Sequence, residues 1–562
     1  MLDKINFKFF IPFFLLILQC QNSQSTSFFQ LTNAFFDWFY KSNPVEGSSN
    51  GIHLYDFSYP SLTKNSIERN LDDINRFLIE MDQIDYRELS IEEKNNYFVL
   101  FNEMERLQFN YKEFFLFDRS PFFYLEKIHK GILSIEYDDK ESFENYISRL
   151  KQIFNIIESA KKNIKNRYYS KLNNDMVENI FFTLNQKYKY FSNKNILLDT
   201  LDYYNNNAQK KIRDFENWIN KECINDTFNI IEPEVFSENM SYYINNSYKY
   251  NKEQALRDLN RLYSKMVKLS LPIFLLENDE PIWINKKDSL EVIQFALLNK
   301  QDDLDVNFSD YLKAKIPIIK KQIKNNHIFK INSFINNKIV LKNNFFHDYK
   351  ILSINYPGSF DRDQSLTVHT NELSKDWSLE KQNYFYKKYT KINYDLIIIE
   401  SFLSGEYLFN LYSSSNSIIN KTIKNKVFTE GWKKYIQEIV IDNIKDYDQN
   451  YKLFQYQQLI KSIINYIVDF ELNTGLISKK EAINFMVDNG FYFRYEATYV
   501  IDEMLASPGI FSLEYIGYKE IKEIEKDYKK KNGKKFNLKV FNMELILNSK
   551  MNFKDIKNTL IN

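Results

Sequence analysis

Apolar residues recur at intervals of three and four along most of this chain, the spacing that lines one face of an α-helix. Ile74, Phe77, Leu78 and Met81 form one such stripe, and Leu100, Phe101, Met104 and Leu107 form the next. Tyr146, Ile147, Leu150, Ile153, Phe154 and Ile157 mark a third; Leu256, Leu259, Leu262 and Met266 mark a fourth. Start and stop signals fall where such stripes need them. Ser90 with Glu93, and Ser478 with Glu481, read as capping boxes, the second opening a helix that carries Ala482, Ile483, Phe485 and Met486. Phe35 to Tyr40 reads as an aromatic helix start. Tyr451 to Leu472 reads as one long amphipathic helix, with Gly475 in its left-handed cap. Ser507-Pro508-Gly509 breaks the helix that follows, and a lysine-rich helix runs from Tyr518 to Lys531.

The texture changes once, between about Ile328 and Tyr356. Short β-rich runs appear there, Ile339-Val340-Leu341 and Ile351-Leu352-Ser353-Ile354, broken by paired asparagines and closed by Pro357-Gly358. They predict a small antiparallel sheet inserted at about 328–356 in a mainly α fold. Such an edge serves either to add an extended peptide as a further strand or to brace the helices.

Composition sharpens this picture in three places. Only 11 glycines and 10 prolines occur in 562 residues, which favours long helices over a sandwich or barrel. The balance of 75 basic against 74 acidic residues gives no global electrostatic case for nucleic acid or an anionic membrane surface. Lysine clusters such as Lys161-Lys162 and Lys320-Lys321 read as solvated faces, because acidic residues are interspersed throughout. At the amino end, Lys4 and Lys8 precede an apolar run from Phe9 to Leu18, interrupted only by Pro12. This is the pattern of a signal peptide over 1–19 and is too short to span a bilayer. Leu16-Ile17-Leu18-Gln19-Cys20, followed by a polar tether over 20–33, resembles a bacterial lipoprotein signal, with Gln19 departing from the small residue usual before the cysteine. The resemblance implies lipid on Cys20, export to the bacterial cell envelope, and membrane contact through the anchor alone. Cys223 is the only other cysteine and reads as an inert free thiol; His53 reads as a structural or solvated loop residue.

The candidate chemistry lies between Glu400 and Trp432. Glu400-Ser-Phe-Leu-Ser-Gly405-Glu406 is followed by Glu430-Gly431-Trp432 and Tyr435. In this order the segments resemble a family of exported bacterial proteins, often lipoproteins, of unknown function and zinc-metallopeptidase-like. Its hallmarks are His-Glu-x-x-Pro-Gly-His, Glu-Gly-Trp, Asp-x-Gly-Leu-His, Arg-Tyr-x-x-x-Pro-Gly-Gln and a late Phe-His. The similarity covers nearly all of the chain after the tether, including the loop Gly51 to Asp56. It implies a single helical peptidase-like domain over 34–562 with a cleft. The frame is kept while the chemistry departs. Glu400 stands where the first histidine belongs, Ser401 at the general base, Ser404 at the proline and Glu406 at the second histidine. A register one residue away restores Glu400 as the base but puts Ile399 and Gly405 at the ligand positions. Asn473 and Ile477 replace the acid and histidine of the third motif. In the fourth, Glu503-Met504 replaces Arg-Tyr, Pro508-Gly509 is kept, Ile510 replaces the glutamine, and Glu514 stands where a tyrosine is usual. Phe541-Asn542 replaces the late Phe-His.

A site of Glu400, Glu406 and Glu430 is hard and anionic, suited to calcium, magnesium or manganese rather than zinc. Without a cation, three converging carboxylates repel, and at least one takes up a proton. Ser401 cannot activate a water, nor can Glu503 and Met504 donate to an oxyanion. The first expectation is therefore a degenerate, non-catalytic protein without a cofactor that binds a peptide or another protein. Two alternatives stand beside it. One is a metal-dependent peptidase using zinc or a hard divalent cation in a carboxylate-rich site; the other is an envelope scaffold.

Overall fold

The structure is a computed structural model. It describes residues 23–561 apart from 115, 136–139, 165–173, 195–196, 223–229, 279–285, 300–307, 331–338, 343–349, 351, 371–376, 389, 403–408 and 410–416. It is a mainly helical body with one small sheet, organised around three hydrophobic cores. Among the described residues no helix is long and apolar enough to cross a membrane.

The first core joins the helices Ser23–Ser42, Lys64–Asp82 and Ile91–Lys112 through Phe35, Phe36, Phe77, Met81, Leu100 and Met104. These include residues of the first two predicted stripes. Ile419, from far along the chain, completes this core, and Tyr40 Oη lies 2.5 Å from Thr422 Oγ1. Residues 23–33, predicted as polar tether, are instead the first half of the opening helix. Phe28 and Leu31 continue the aromatic stripe backwards and are buried, while the Gln24 amide oxygen accepts from Asp85 N at 3.0 Å. Polar residues on the other face hid this apolar spacing of three and four. Both capping boxes form: Ser90 accepts from Glu93 N while Glu93 accepts from Ser90 N, and Ser478 and Glu481 do the same.

A second core is built by the helices Pro121–Leu133, Lys140–Asn163, Asn174–Asn193 and Leu198–Glu222. The third and largest runs through the carboxyl-terminal half. Its centre is the helix Gln449–Asn473, every residue of which from Leu459 onward is buried. Gly475, with φ of 74°, ends the turn that follows it, as predicted. Against this centre lie the helices Lys391–Phe402, Lys426–Asn443, Arg494–Ala506 and Leu513–Asn532. Lys426–Asn443 and Leu513–Asn532 cross with their backbones touching. A Cβ on Gly431 would stand 2.1 Å from the carbonyl carbon of Gly517. The glycine of Glu430-Gly431-Trp432 is thus a crossing-point residue, and Trp432 beside it is fully buried among Phe329, Phe409, Phe428 and Tyr435.

The sheet lies where predicted but is wired differently and reaches further. Strands β1 (Ile339–Lys342) and β2 (Leu352–Asn355) do not pair with each other; β3 (Leu366–Thr370) lies between them. It runs parallel to β1, with Ile339 opposite Leu366, and antiparallel to β2, with Leu352 opposite Thr370. The sheet is mixed, and the insertion extends to Thr370. Leu366 and Val368 alternate with Thr367 and are both buried, and the central position of β3 carries ladders on both sides.

Candidate functional site

The helix Lys426–Asn443 presents Glu430, Lys433, Lys434 and Gln437 at i, i+3, i+4 and i+7, so the four side chains share one face. Glu400 approaches them from the last turn of Lys391–Phe402, Glu514 from the first turn of Leu513–Asn532, and Ser462 from the central helix. Lys433 Nζ binds both oxygens of Glu430, at 2.8 and 2.7 Å. Lys434 Nζ lies 3.0 Å from Glu400 Oε2 and 3.5 Å from Glu514 Oε1. Gln437 Nε2 donates to Glu400 Oε2 at 2.8 Å and to the Leu396 carbonyl at 3.1 Å. The Ser462 hydroxyl donates to Glu514 Oε2 at 2.6 Å, and the Tyr356 hydroxyl, just beyond β2, donates to the Ser401 carbonyl at 2.8 Å.

Charges in this cluster are set by burial and by one another. Burial disfavours the Lys434 ammonium, but Glu400 and Glu514 outweigh it and take the group up to about 12. Lys433 behaves alike, raised by Glu430 and Glu400 against burial. Burial pushes the Glu514 carboxyl up; Lys434 opposes this, while Glu400 and Glu430 add to it. Tyr356 is pushed up to about 12, again by burial first. Three carboxylates face two ammonium groups, which is why Glu400 and Glu430 add to the upward push on Glu514. A divalent cation bound by Glu400 and Glu430 would have to displace lysines already in bonding contact with both. Among the described residues, no group of three or more His, Cys, Asp and Glu side chains is arranged to hold a metal.

A second buried ion cluster lies nearby. Glu496 binds Lys388 at 2.9 Å and, through both oxygens, Lys461 at 2.8 Å. Lys461 also lies 4.1 Å from the centre of the Tyr492 ring, and burial moves its charge balance toward the neutral amine. At other positions singled out in the sequence the side chains form structural bonds. Asn473 donates to Asp469 Oδ1 at 3.0 Å and to the Asp469 carbonyl at 2.8 Å. Asp469 also accepts from Gly509 N, Ser512 N and the Ser512 hydroxyl, at 2.9, 3.0 and 3.0 Å. Asn542 accepts from the Tyr435 hydroxyl and donates to the Ile328 carbonyl, both at 2.8 Å. Met504 is fully buried. His53 lies between Asp56, at 2.9 Å, and Asp361, at 3.2 Å, joining its loop to the turn after Gly358.

Of the sequence-predicted residues, Glu400 and Glu430 share this cluster, since both act on Lys433 and Tyr356. Glu406, Cys20 and Cys223 lie outside the described residues. Sequence reasoning missed Lys433, Lys434, Lys461 and Glu496. For the first two a signal was present, because Glu-x-x-Lys-Lys puts both lysines on the face of Glu430.

Residues 409–556 match a family model described as bacterial protein of unknown function (DUF885). The match spans Glu430-Gly431-Trp432, Asn473, Pro508-Gly509 and Glu514. The fold is similar to that of a candidate lipoprotein of unknown function from Shewanella oneidensis, with a TM-score of 0.75 and 18% identity over 95% of this chain and 100% of the other. It is also similar to that of a candidate lipoprotein from Colwellia psychrerythraea, with a TM-score of 0.73 and 12% identity over 96% of this chain and 98% of the other. No curated protein matches the chain.

Proposed function

We propose that this chain is an exported, lipid-anchored protein that keeps a metallopeptidase-like helical frame without hydrolytic chemistry and uses it to bind a peptide or another protein. The observation that carries the reading is the pairing of Glu430 with Lys433 and of Glu400 with Lys434. A peptidase site of this type needs a Lewis acid and a base to make a nucleophile from water. Here the carboxylates at the ligand positions are neutralised by fixed ammonium groups, and Ser401 stands where the base belongs. Charges taken out of water are held by partners of opposite sign, and removing a partner is costly. The lysines thereby do structurally what a cation would do electrostatically, without activating water. The candidate lipoproteins of similar fold support the envelope placement, as does the run from Phe9 to Cys20.

The test is the metal content of the purified mature protein by elemental mass spectrometry, on the wild type and on Glu430→Gln. Neither should hold zinc, manganese, magnesium or calcium near one equivalent. Near-stoichiometric zinc or manganese in the wild type, lost in the variant, would overturn the reading in favour of a peptidase with a carboxylate-rich metal site.

A further inference from the structure

A cavity of about 510 Å³ opens where the three cores meet. Its walls come from the opening helix, from Ile91–Lys112 and Pro121–Leu133, and from the amino-terminal end of Lys426–Asn443. Pockets that enclose small ligands have volumes of about 300–1,000 Å³. The lining is cationic although the chain as a whole carries a formal charge of only +1. Arg106, Lys127, Lys130, Lys424, Lys426 and Lys550 face it against Glu46 and Glu103. Both acids are already bound: Glu103 by Arg106 at 2.6 Å and Glu46 by Lys127 at 2.8 Å. Lys127 above all, with Lys130 and Lys426 adding, holds Glu46 ionised well below the usual carboxylate range. Lys424 and Lys426 are exposed and have no carboxylate within ion-pair distance among the described residues.

Two buried asparagines add a different signal. Asn50 and Asn110 are each 7% exposed and line the cavity, yet neither side-chain amide makes a hydrogen bond within the described protein. Their amide atoms are not sealed off from solvent, so both are open to a molecule in the cavity. An amide offers one acceptor and two donors, the complement of a peptide backbone. Phe35, Phe36 and Tyr243 supply apolar wall, and Tyr243 has Arg106 and Lys426 over its ring at 5.9 and 5.8 Å. Lysines present point charges to an anionic group, and the amides and apolar wall beside them suit a peptide that carries carboxylates.

We infer that this cavity binds a short acidic peptide, with Lys424 and Lys426 taking its carboxylates and Asn50 and Asn110 taking its backbone. The inference rests on the peptide-binding reading above and names the site and the ligand class.

The experiment is isothermal titration calorimetry on the full mature chain with three short peptides built around one phenylalanine, flanked by glutamates, glutamines or lysines. The acidic peptide should bind at least about tenfold more tightly than the glutamine peptide, with an advantage that falls as salt rises. Reversing the two exposed charges in the double variant Lys424→Glu, Lys426→Glu should remove that advantage. Equal affinity for all three peptides, or an acidic preference that survives the reversal, would overturn this inference while leaving peptide binding standing. Failure of all three peptides to bind would sink the peptide-binding reading and this inference with it.

Discussion

Lys434 is 5% exposed and bridges two carboxylates from different helices, so its removal exposes what the cluster contributes. Lys434→Met keeps most of the packing volume and deletes the ammonium that Glu400 and Glu514 share. Breaking a buried pair on one side costs about 3–5 kcal/mol, and urea unfolding should show a loss of that order. Adding Glu400→Gln should recover part of it, because the remaining charge goes too. Asp469 carries a pH signature of its own. Burial pushes its carboxyl from 3.8 to about 7, against the donors from Gly509, Ser512 and Asn473. With the folded value above the unfolded one, the folded chain holds a proton that the unfolded chain has released between those two values. This contribution to stability is therefore complete below about 4 and is lost as pH rises to about 7. Asp469→Asn has no such titration. The unfolding free energy of the wild type minus that of the variant should fall across this interval, and a flat difference would refute the assignment. Neither residue was legible as buried. A lysine or aspartate on a helix reads as a solvated face, and only partners such as Glu400, 34 positions from Lys434, or Ser512, 43 from Asp469, reveal otherwise.

At the scale of elements, the crossing of Lys426–Asn443 over Leu513–Asn532 depends on two glycines. Gly431→Ala would gain about 1 kcal/mol of helix propensity. It would also drive a methyl group to within 2.1 Å of backbone that has no flexible end to yield. Overpacking of this kind costs about 1–3 kcal/mol, and the clash is severe, so a net loss of about 2 kcal/mol is expected from chemical denaturation. A neutral or stabilising result would mean that the helices can separate freely. Such packing decides which parts of the fold were readable. Helices announced themselves because stripe and capping box are local: Ser478 and Glu481 are three residues apart. The pairing of the sheet did not, because β1 with β3 joins segments about 27 residues apart across a region of weak signals. The opening helix was misjudged for a related reason: its Ser- and Gln-rich outer face concealed Phe28 and Leu31 on the inner one.

Over the whole molecule, the sequence pattern identified the mainly helical fold, and the structure brings Glu400, Glu430 and Glu514 together around two lysines. It could not identify the cavity, whose lining is drawn from residues as far apart as Phe35 and Asn552. No local pattern encodes a wall assembled from both ends of a chain. The same separation governs the order of events during folding. Ile419 completes the amino-terminal core, and Tyr40 reaches Thr422 across 382 positions. Synthesis delivers the amino end first, and closing so long a loop carries an entropic cost that local helices do not incur. The opening helix must therefore wait, its aromatic face only partly covered, until nearly three-quarters of the polypeptide has emerged. The cavity, walled by residues from Phe35 to Asn552, is complete only when both ends are in place.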